Sequence, residues 1–463
     1  MIIGGMGFRV LKKILGFPEA RKGATLVTIT ELPELPSIPL TAYFWSHDKK
    51  RDFILGVIDS KLSTYPKSPS RHLRAGKHLG TGINPNHDLR EDQLKILADN
   101  YDLNSLAPRQ KDVGLILRKH NPNFKLFMYV DYGIQPEENL DIVGDDVGNI
   151  DEQNIDWILQ NHPDWLLRDQ DGNPIRSGSG LSNAGEYWGD PGNREYQEFF
   201  ASKINKALSL TGIIWDGILL DQFFGLVENY TNYANANQQT KYKTDAEFQV
   251  AQLSFVKRLA EFVKVPVIPN LDGSASIRYP DFLLQLANAS GGIENEIYPF
   301  ENSDESDNSL LPPENLKSLI DTILQIPKSK YVRISAKPGG MAGNIDRTLY
   351  AYYSYLLVAS PDREIYWSFK EGDSSIPHYW FKEFDLDLGG PLSEVSFGDV
   401  WKREFGNATV IVNPYRQDKQ FNFQGVRYNV RGGELRGSVI LPPASGMLLF
   451  PNLSALNKSL MPL

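Results

Sequence analysis

Asp216-Gly-Ile-Leu-Leu-Asp221 is the stretch on which the fold turns. Three apolar residues between two carboxylates read as a short strand buried on both faces, the pattern of a parallel sheet covered by helices. A carboxylate directly after such a run is desolvated unless it faces an opening. Asp221 is therefore expected at the strand's open end, and Asp216, just before a glycine, as a turn residue at its base. Outward from this strand the same rhythm recurs. Asn123–Asp131 (NFKLFMYVD) precedes it as a clear strand, and residues 194–208 between them carry Tyr196, Phe199, Phe200 and Ile204 on one helical stripe. Downstream, strands are expected at residues 265–270, 291–297, 331–335 and 364–368, with helices at 245–264, 316–326 and 345–359. Upstream, Leu40–Ser46 reads as strand one, Tyr101–Leu106 as a weak strand two, and residues 111–120 as the helix between strands two and three. Eight strands separated by helical segments leave no room for tight hairpins. The expectation is parallel pairing closed into a (β/α)8 TIM barrel, an α/β fold, over residues 40–395.

The chain of 463 residues is long for one core. Residues 1–39 read as an N-terminal tail and proline-spaced linker. Residues 396–463 hold short alternating runs such as Ala408–Val412 and Ser438–Leu441 between Asn, Gly and Pro, the pattern of a small antiparallel β-domain. Residues 47–100 read as a long excursion after strand one that walls one side of the mouth. The apolar runs in Met1–Pro18 are too short for a signal-peptide core, and no run approaches the ~20 residues of a membrane span. Localisation and oligomeric state stay open at this level.

A formal net charge of −9 argues against nucleic acid as a partner. The 8 Trp, 21 Tyr and 23 Phe in an acidic chain suit a neutral polyhydroxylated ligand, since sugar rings stack on aromatic faces and carboxylates accept hydroxyl hydrogen bonds. With no cysteine, disulfides, zinc-thiolate sites and thiol nucleophiles are excluded. His72, His78 and His87 beside Asp88 match no zinc spacing, so no metal is expected. Pro338–Gly343 lacks the Lys-Ser/Thr of a phosphate-binding loop, and no cofactor is implied.

In a barrel the chemistry gathers at the carboxyl ends of the strands. Asp221 is the first candidate. Glu294 and Glu296 close strand six, two apart and so on one strand face, where each raises the other's pKa as a general acid requires. Glu296 stands nearer the mouth, with Glu294 in reserve or in an ion pair with an Arg or Lys. Carboxylates on different strands match glycosidic cleavage, one as nucleophile or base and one as acid, and retention or inversion stays open. Expected sugar contacts are Tyr43 and Trp45 on strand one, Tyr129, Asp131 and Tyr132 on strand three, Asn270 on strand five, Arg333 and Lys337 by strand seven and Trp367 on strand eight. Trp188 is expected to be an exposed stacking residue.

The succession Trp165-Leu-Leu-Arg-Asp-Gln-Asp-Gly-Asn173, Tyr187-Trp-Gly-Asp-Pro-Gly-Asn-Arg-Glu-Tyr196 and Trp215-Asp-Gly-Ile-Leu-Leu-Asp221 resembles the hypothetical glycosyl-hydrolase-like TIM-barrel family. More distantly the chain is similar to endo-polygalactosaminidase-like barrels, in which an acid ends strand four and a Glu ends strand six. The resemblance implies those roles for Asp221 and Glu296, a carbohydrate substrate, and a β-sandwich over Arg403–Leu449. The rival readings are a non-catalytic carbohydrate-binding barrel, which binds without turnover, and a structural barrel whose mouth is plugged.

Overall fold

The computed structural model describes residues 80–82, 91–134, 153–176, 185–228, 239–301, 309–336, 345–369 and 382–460. The expected strand Leu40–Ser46 with Tyr43 and Trp45, the residues His72, His78, His87 and Asp88, and Lys337 with the Pro338–Gly343 loop lie outside them. Eight strands pair in parallel and in chain order: β1 (Gly80–Gly82), β2 (Leu103–Leu106), β3 (Lys125–Asp131), β4 (Gly217–Phe223), β5 (Val267–Leu271), β6 (Gly292–Asn295), β7 (Tyr331–Ala336) and β8 (Ile365–Phe369). β1 lies against β8, which brings the sheet round on itself. The connecting helices are α1 (Glu91–Asn100), α2 (Lys111–His120), α3 (Ile155–Asn161), α4 (Arg194–Thr211), α5 (Asp245–Phe262), α6 (Gly273–Arg278), α7 (Pro280–Ala289), α8 (Pro313–Gln325) and α9 (Ile345–Leu356). The fold is a (β/α)8 barrel.

One expectation changes. The strand beside β2 is Gly80–Gly82, inside the stretch read as an excursion, and α1 follows it in the same stretch. Three residues, two of them glycine, carry no apolar alternation, so only their pairing with Leu103–Ser105 makes them a strand.

The quoted motifs are architectural where they are not at the mouth. Asp216 sits at the base of β4, bonded to Arg118 Nη2 at 2.5 Å and to the Leu126 amide at 2.8 Å. Gly217 follows because a Cβ there would stand 2.2 Å from the Phe127 ring and 2.9 Å from the Pro266 carbonyl. Asp169 closes a turn by accepting the amides of Asp171 (2.9 Å) and Asn173 (2.8 Å). Asp190 is buried and accepts the Tyr242 hydroxyl at 2.6 Å and an ion pair from Lys241. Asn193 caps α4 by accepting the Tyr196 amide at 3.1 Å, and Gly212 ends that helix with φ 70°. Thr244 and Glu247 form a capping box that starts α5.

The lower barrel interior is apolar: Leu103, Phe127, Leu219, Ile268 and Tyr366 pack together, with Tyr129 and Tyr331 against them. Beyond the barrel lie β9 (Trp401–Glu404), β10 (Thr409–Asn413), β11 (Lys419–Tyr428), β12 (Glu434–Leu441), β13 (Ser445–Leu449) and α10 (Leu453–Leu460). β9, β10 and β13 form one antiparallel sheet, and β11 and β12 a second, around Val400, Ile411, Leu435, Val439, Leu441 and Leu449. The first sheet packs on α9, where the buried Arg403 guanidinium donates to the carbonyls of Leu357 (2.7 Å) and Ala359 (2.8 Å) just past the helix end. A cation at a helix C-terminus completes carbonyls the helix itself leaves unpaired.

Gly217→Ala is expected to destabilise the barrel by about 1–3 kcal/mol through overpacking. Gly212→Asn, at a left-handed position with open space around it, is expected to leave the thermal midpoint nearly unchanged. Scanning calorimetry of the two variants checks the contrast, and equal midpoints would remove the close-approach argument.

Candidate active site

β3 and β4 pair so that Tyr129 stands opposite Leu219 and Asp131 opposite Asp221. Residues in register on adjacent parallel strands share a face, and two carboxylates thus meet at the strand ends. Asp221 is half-buried and held from three directions. Its Oδ2 accepts the Tyr129 hydroxyl at 2.5 Å, and its Oδ1 accepts the Asn270 amide at 2.7 Å and the Gln222 backbone amide at 2.8 Å. The Tyr129 hydroxyl also lies 2.9 Å from Asp131 Oδ1. Burial first, then the Asp221 and Asp131 carboxylates, pushes that hydroxyl well above the ordinary phenol range. Tyr129 therefore remains a donor across the neutral range.

Gln222 completes the cluster in a way no sequence rule anticipates. Successive strand residues ordinarily point to opposite faces. Here the β4–β5 register shifts between Leu220 and Phe223, and Gln222 adopts φ 57°, the left-handed region. This bulge lets both neighbours serve one site: Asp221 meets Tyr129 and Asn270, while Gln222 Nε2 donates to Asp131 Oδ1 at 3.2 Å. A non-glycine residue held at such a φ costs on the order of 1–3 kcal/mol and persists where the surroundings over-determine it.

A second polar layer joins the first through β5. Asn270 stands in register with Glu294, and Glu294 with Arg333. Both charged residues are buried, 1% and 4% exposed. The pair is 3.4 Å from Arg333 Nε to Glu294 Oε1. Ser335 Oγ donates to Glu294 Oε1 at 2.8 Å and meets Ser368 Oγ at 2.8 Å, and Arg333 Nη1 donates to Ser105 Oγ at 2.9 Å. Glu294 is thus in the ion pair named above as its structural alternative. Glu296 follows the last residue of β6 and is half-buried.

The structure brings Asp221, Asp131, Tyr129 and Asn270 together, with Glu294 and Arg333 one layer along. It corrects three aromatics. Tyr132, expected to contact sugar, is fully buried against Phe223 and Phe255. Trp188, expected to be exposed, is fully buried against Tyr132 and Phe224. Trp367, expected to contact sugar, is fully buried among Tyr352, Tyr355 and Phe384. Strand alternation explains the last: Tyr366 faces the barrel interior with Arg333, which turns its neighbour Trp367 outward to the helices. Sequence reading missed Gln222, Ser105, Ser335 and Ser368. Ser335 lies two residues from Arg333 on β7, so alternation could have found it, whereas Ser105, opposite Phe127, and Ser368, opposite Ser335, stand beside no predicted position, and nothing marks Gln222.

Gln222→Gly is expected to leave stability unchanged or raise it by up to about 1 kcal/mol, because glycine takes the left-handed region without strain. Thermal unfolding checks this, and a loss above that size would mean that the side chain itself, not the backbone, holds the bulge.

Among solved structures similar in fold are a glycoside hydrolase family 27 β-L-arabinopyranosidase from Geobacillus stearothermophilus in complex with arabinose and a family 31 dextranase from Flavobacterium johnsoniae complexed with glucose. The first has TM-score 0.47 and 10% identity, covering 83% of this chain and all of that one. The second has TM-score 0.40 and 11% identity, covering 86% of this chain and 54% of that one. No curated protein matches the chain. The profile of hypothetical glycosyl hydrolase family 15 matches residues 118–409, from the last turn of α2 through the barrel to the start of β10. The chain belongs to hypothetical glycosyl hydrolase family 15 and is a glycoside-hydrolase barrel enzyme.

Proposed function

We propose that the chain hydrolyses O-glycosidic bonds in a poly- or oligosaccharide, with Asp221 as nucleophile or transition-state-stabilising carboxylate and Glu296 as general acid and base. The observation that carries this reading is the seat of Asp221: a half-buried carboxylate near the carboxyl end of β4, oriented by three donors from β3, β5 and its own strand. A group so oriented meets an anomeric carbon without further loss of rotamer freedom. Glu296 gives its carboxyl proton to the leaving oxygen as the C1–O bond breaks. Asp221 then bonds to C1 or screens the oxocarbenium charge, and Glu296 takes a proton from the attacking water. Glu296 suits the acid's role better than Glu294, because Glu294 is committed to Arg333 and Ser335 inside the barrel. Asn270 and Arg333, first read as sugar contacts, serve in this scheme chiefly to hold Asp221 and Glu294. Tyr43, Trp45 and Lys337 remain proposed sugar contacts.

Release of reducing ends from a broad polysaccharide panel tests the reading. Asp221→Asn and Glu296→Gln are each expected to lose about 10²–10⁴-fold in kcat/KM while unfolding at the wild-type temperature. Turnover surviving in Asp221→Asn would end the assignment, and binding of a glycan without cleavage would favour a recognition barrel. Glu294→Gln differs in kind. It leaves the Arg333 guanidinium buried without its anion, so a loss of about 3–5 kcal/mol in stability is expected alongside any loss of activity. A wild-type thermal midpoint in Glu294→Gln would reopen the choice between the two glutamates.

A further inference from the structure

Two side-chain amides stand beside the carboxylates of the mouth. Asn270 Nδ2 donates to Asp221 Oδ1 at 2.7 Å, and Gln222 Nε2 donates to Asp131 Oδ1 at 3.2 Å. A carboxylate oxygen only accepts, so each partner fixes which end of its amide is nitrogen and which is oxygen. Gln222 Oε1 and Asn270 Oδ1 are left on the other arm of each amide. Neither oxygen takes up a hydrogen bond among the described residues. Both residues are half-buried, and each is next to last on its strand.

An amide carbonyl that loses its water to a ligand must receive a hydrogen from that ligand or stand unpaired at a cost. Hydroxyl groups supply such hydrogens, whereas a carboxylate or phosphate oxygen has none to give. The backbone of Gln222 carries the same message. At φ 57° a glycine would sit without strain and would donate its backbone amide to Asp221 equally well, at the 2.8 Å seen here. What the glutamine side chain adds is the second amide, with its nitrogen on Asp131 and its oxygen committed to nothing in the protein.

We propose that Gln222 Oε1 accepts a hydroxyl hydrogen from the sugar ring seated on Asp221, and that Asn270 Oδ1 accepts a second. Gln222 is then a specificity-determining residue, which selects a ring with a free hydroxyl at that point. The hydroxyl expected there is the one on C2, beside the anomeric carbon, because Gln222 directly follows Asp221 and its backbone amide already lies on the Asp221 carboxylate. The proposal rests on the glycosidase reading for its ligand, since the role of Asp221 at C1 is what places a ring beside Gln222.

The test uses neutral monosaccharides, which have no glycosidic bond to cut. Binding of D-glucose, D-galactose, D-mannose and D-xylose to the full chain is followed by saturation-transfer NMR and titration. For each sugar that binds, every hydroxyl is replaced in turn by hydrogen and by fluorine. Fluorine has no hydrogen to give, so where the protein accepts, the deoxy and fluoro sugars weaken together. Both C2 analogues are expected to bind about three- to tenfold more weakly than the parent. In Gln222→Met, of similar length but without the amide, the parent is expected to fall to that level, with no further loss from the C2 changes. If Gln222→Met does not fold, Gln222→Gly removes the same amide. Fluoro sugars that bind like their parents at every position would overturn the proposal. So would an unchanged C2 effect in a folded variant, or no binding by any of the sugars. Binding with the expected pattern but no cleavage of any glycan would leave the acceptor role standing and favour the recognition barrel. Cleavage without that pattern would remove the acceptor role alone.

Discussion

The in-register pairing of β3 with β4 sets Asp131 across from Asp221, and the rest of the mouth is arranged around that juxtaposition. Two carboxylates at adjacent strand ends repel, and the repulsion grows where water is partly excluded. The protein answers with donors: the Tyr129 hydroxyl between the acids, the Asn270 amide from β5, and both the backbone and side-chain amides of Gln222. The bulge in β4 exists for this reason. A regular strand would have sent the Gln222 side chain away from the site, and the left-handed turn at that residue returns it.

Beneath this cluster the barrel changes character within one layer. Leu103, Phe127, Leu219, Ile268 and Tyr366 fill the base with apolar side chains. Directly next to them the buried Glu294–Arg333 pair is bonded by Ser105 of β2 and Ser335 of β7, with Ser368 of β8 behind Ser335. A buried ion pair contributes little net stability over an apolar pair, yet breaking one half of it is strongly unfavourable. Its value here is geometric, since Glu294 stands in register with Asn270, the residue that holds Asp221. A rigid polar floor under a catalytic carboxylate fixes its rotamer and so its approach to a substrate atom.

The motifs that made the family resemblance visible serve mostly to build the scaffold. Asp169 closes a turn, Asp190 anchors Tyr242 and Lys241, Asn193 caps α4, and Gly217 admits the Phe127 ring. Only Asp221 among them belongs to the carboxylate cluster. Polar residues at caps and tight turns recur in sequence because the backbone demands them, which is why such motifs report the fold more surely than the chemistry. The two tryptophans show the converse. Trp188 and Trp367 look like sugar platforms in a list of aromatics, but they are core, and large aromatic surface is more stably buried than exposed.

What the sequence determined by itself is the barrel from β2 to β8, the antiparallel sheets after it, and the position of Asp221. Apolar runs of strand length alternating with amphipathic helices encode that much locally, and an acid ending a buried run has one tolerable place to go. Tertiary structure alone decided the rest. Gly80–Gly82 is a strand only because β2 and β8 flank it. Glu294 is distinguished from Glu296 only by the arginine across the sheet. The Tyr129 hydroxyl shared between Asp131 and Asp221, and the bulge that turns Gln222 toward them, depend on register between strands about 90 residues apart in the chain. Register is a property of the closed sheet, and no window of sequence contains it.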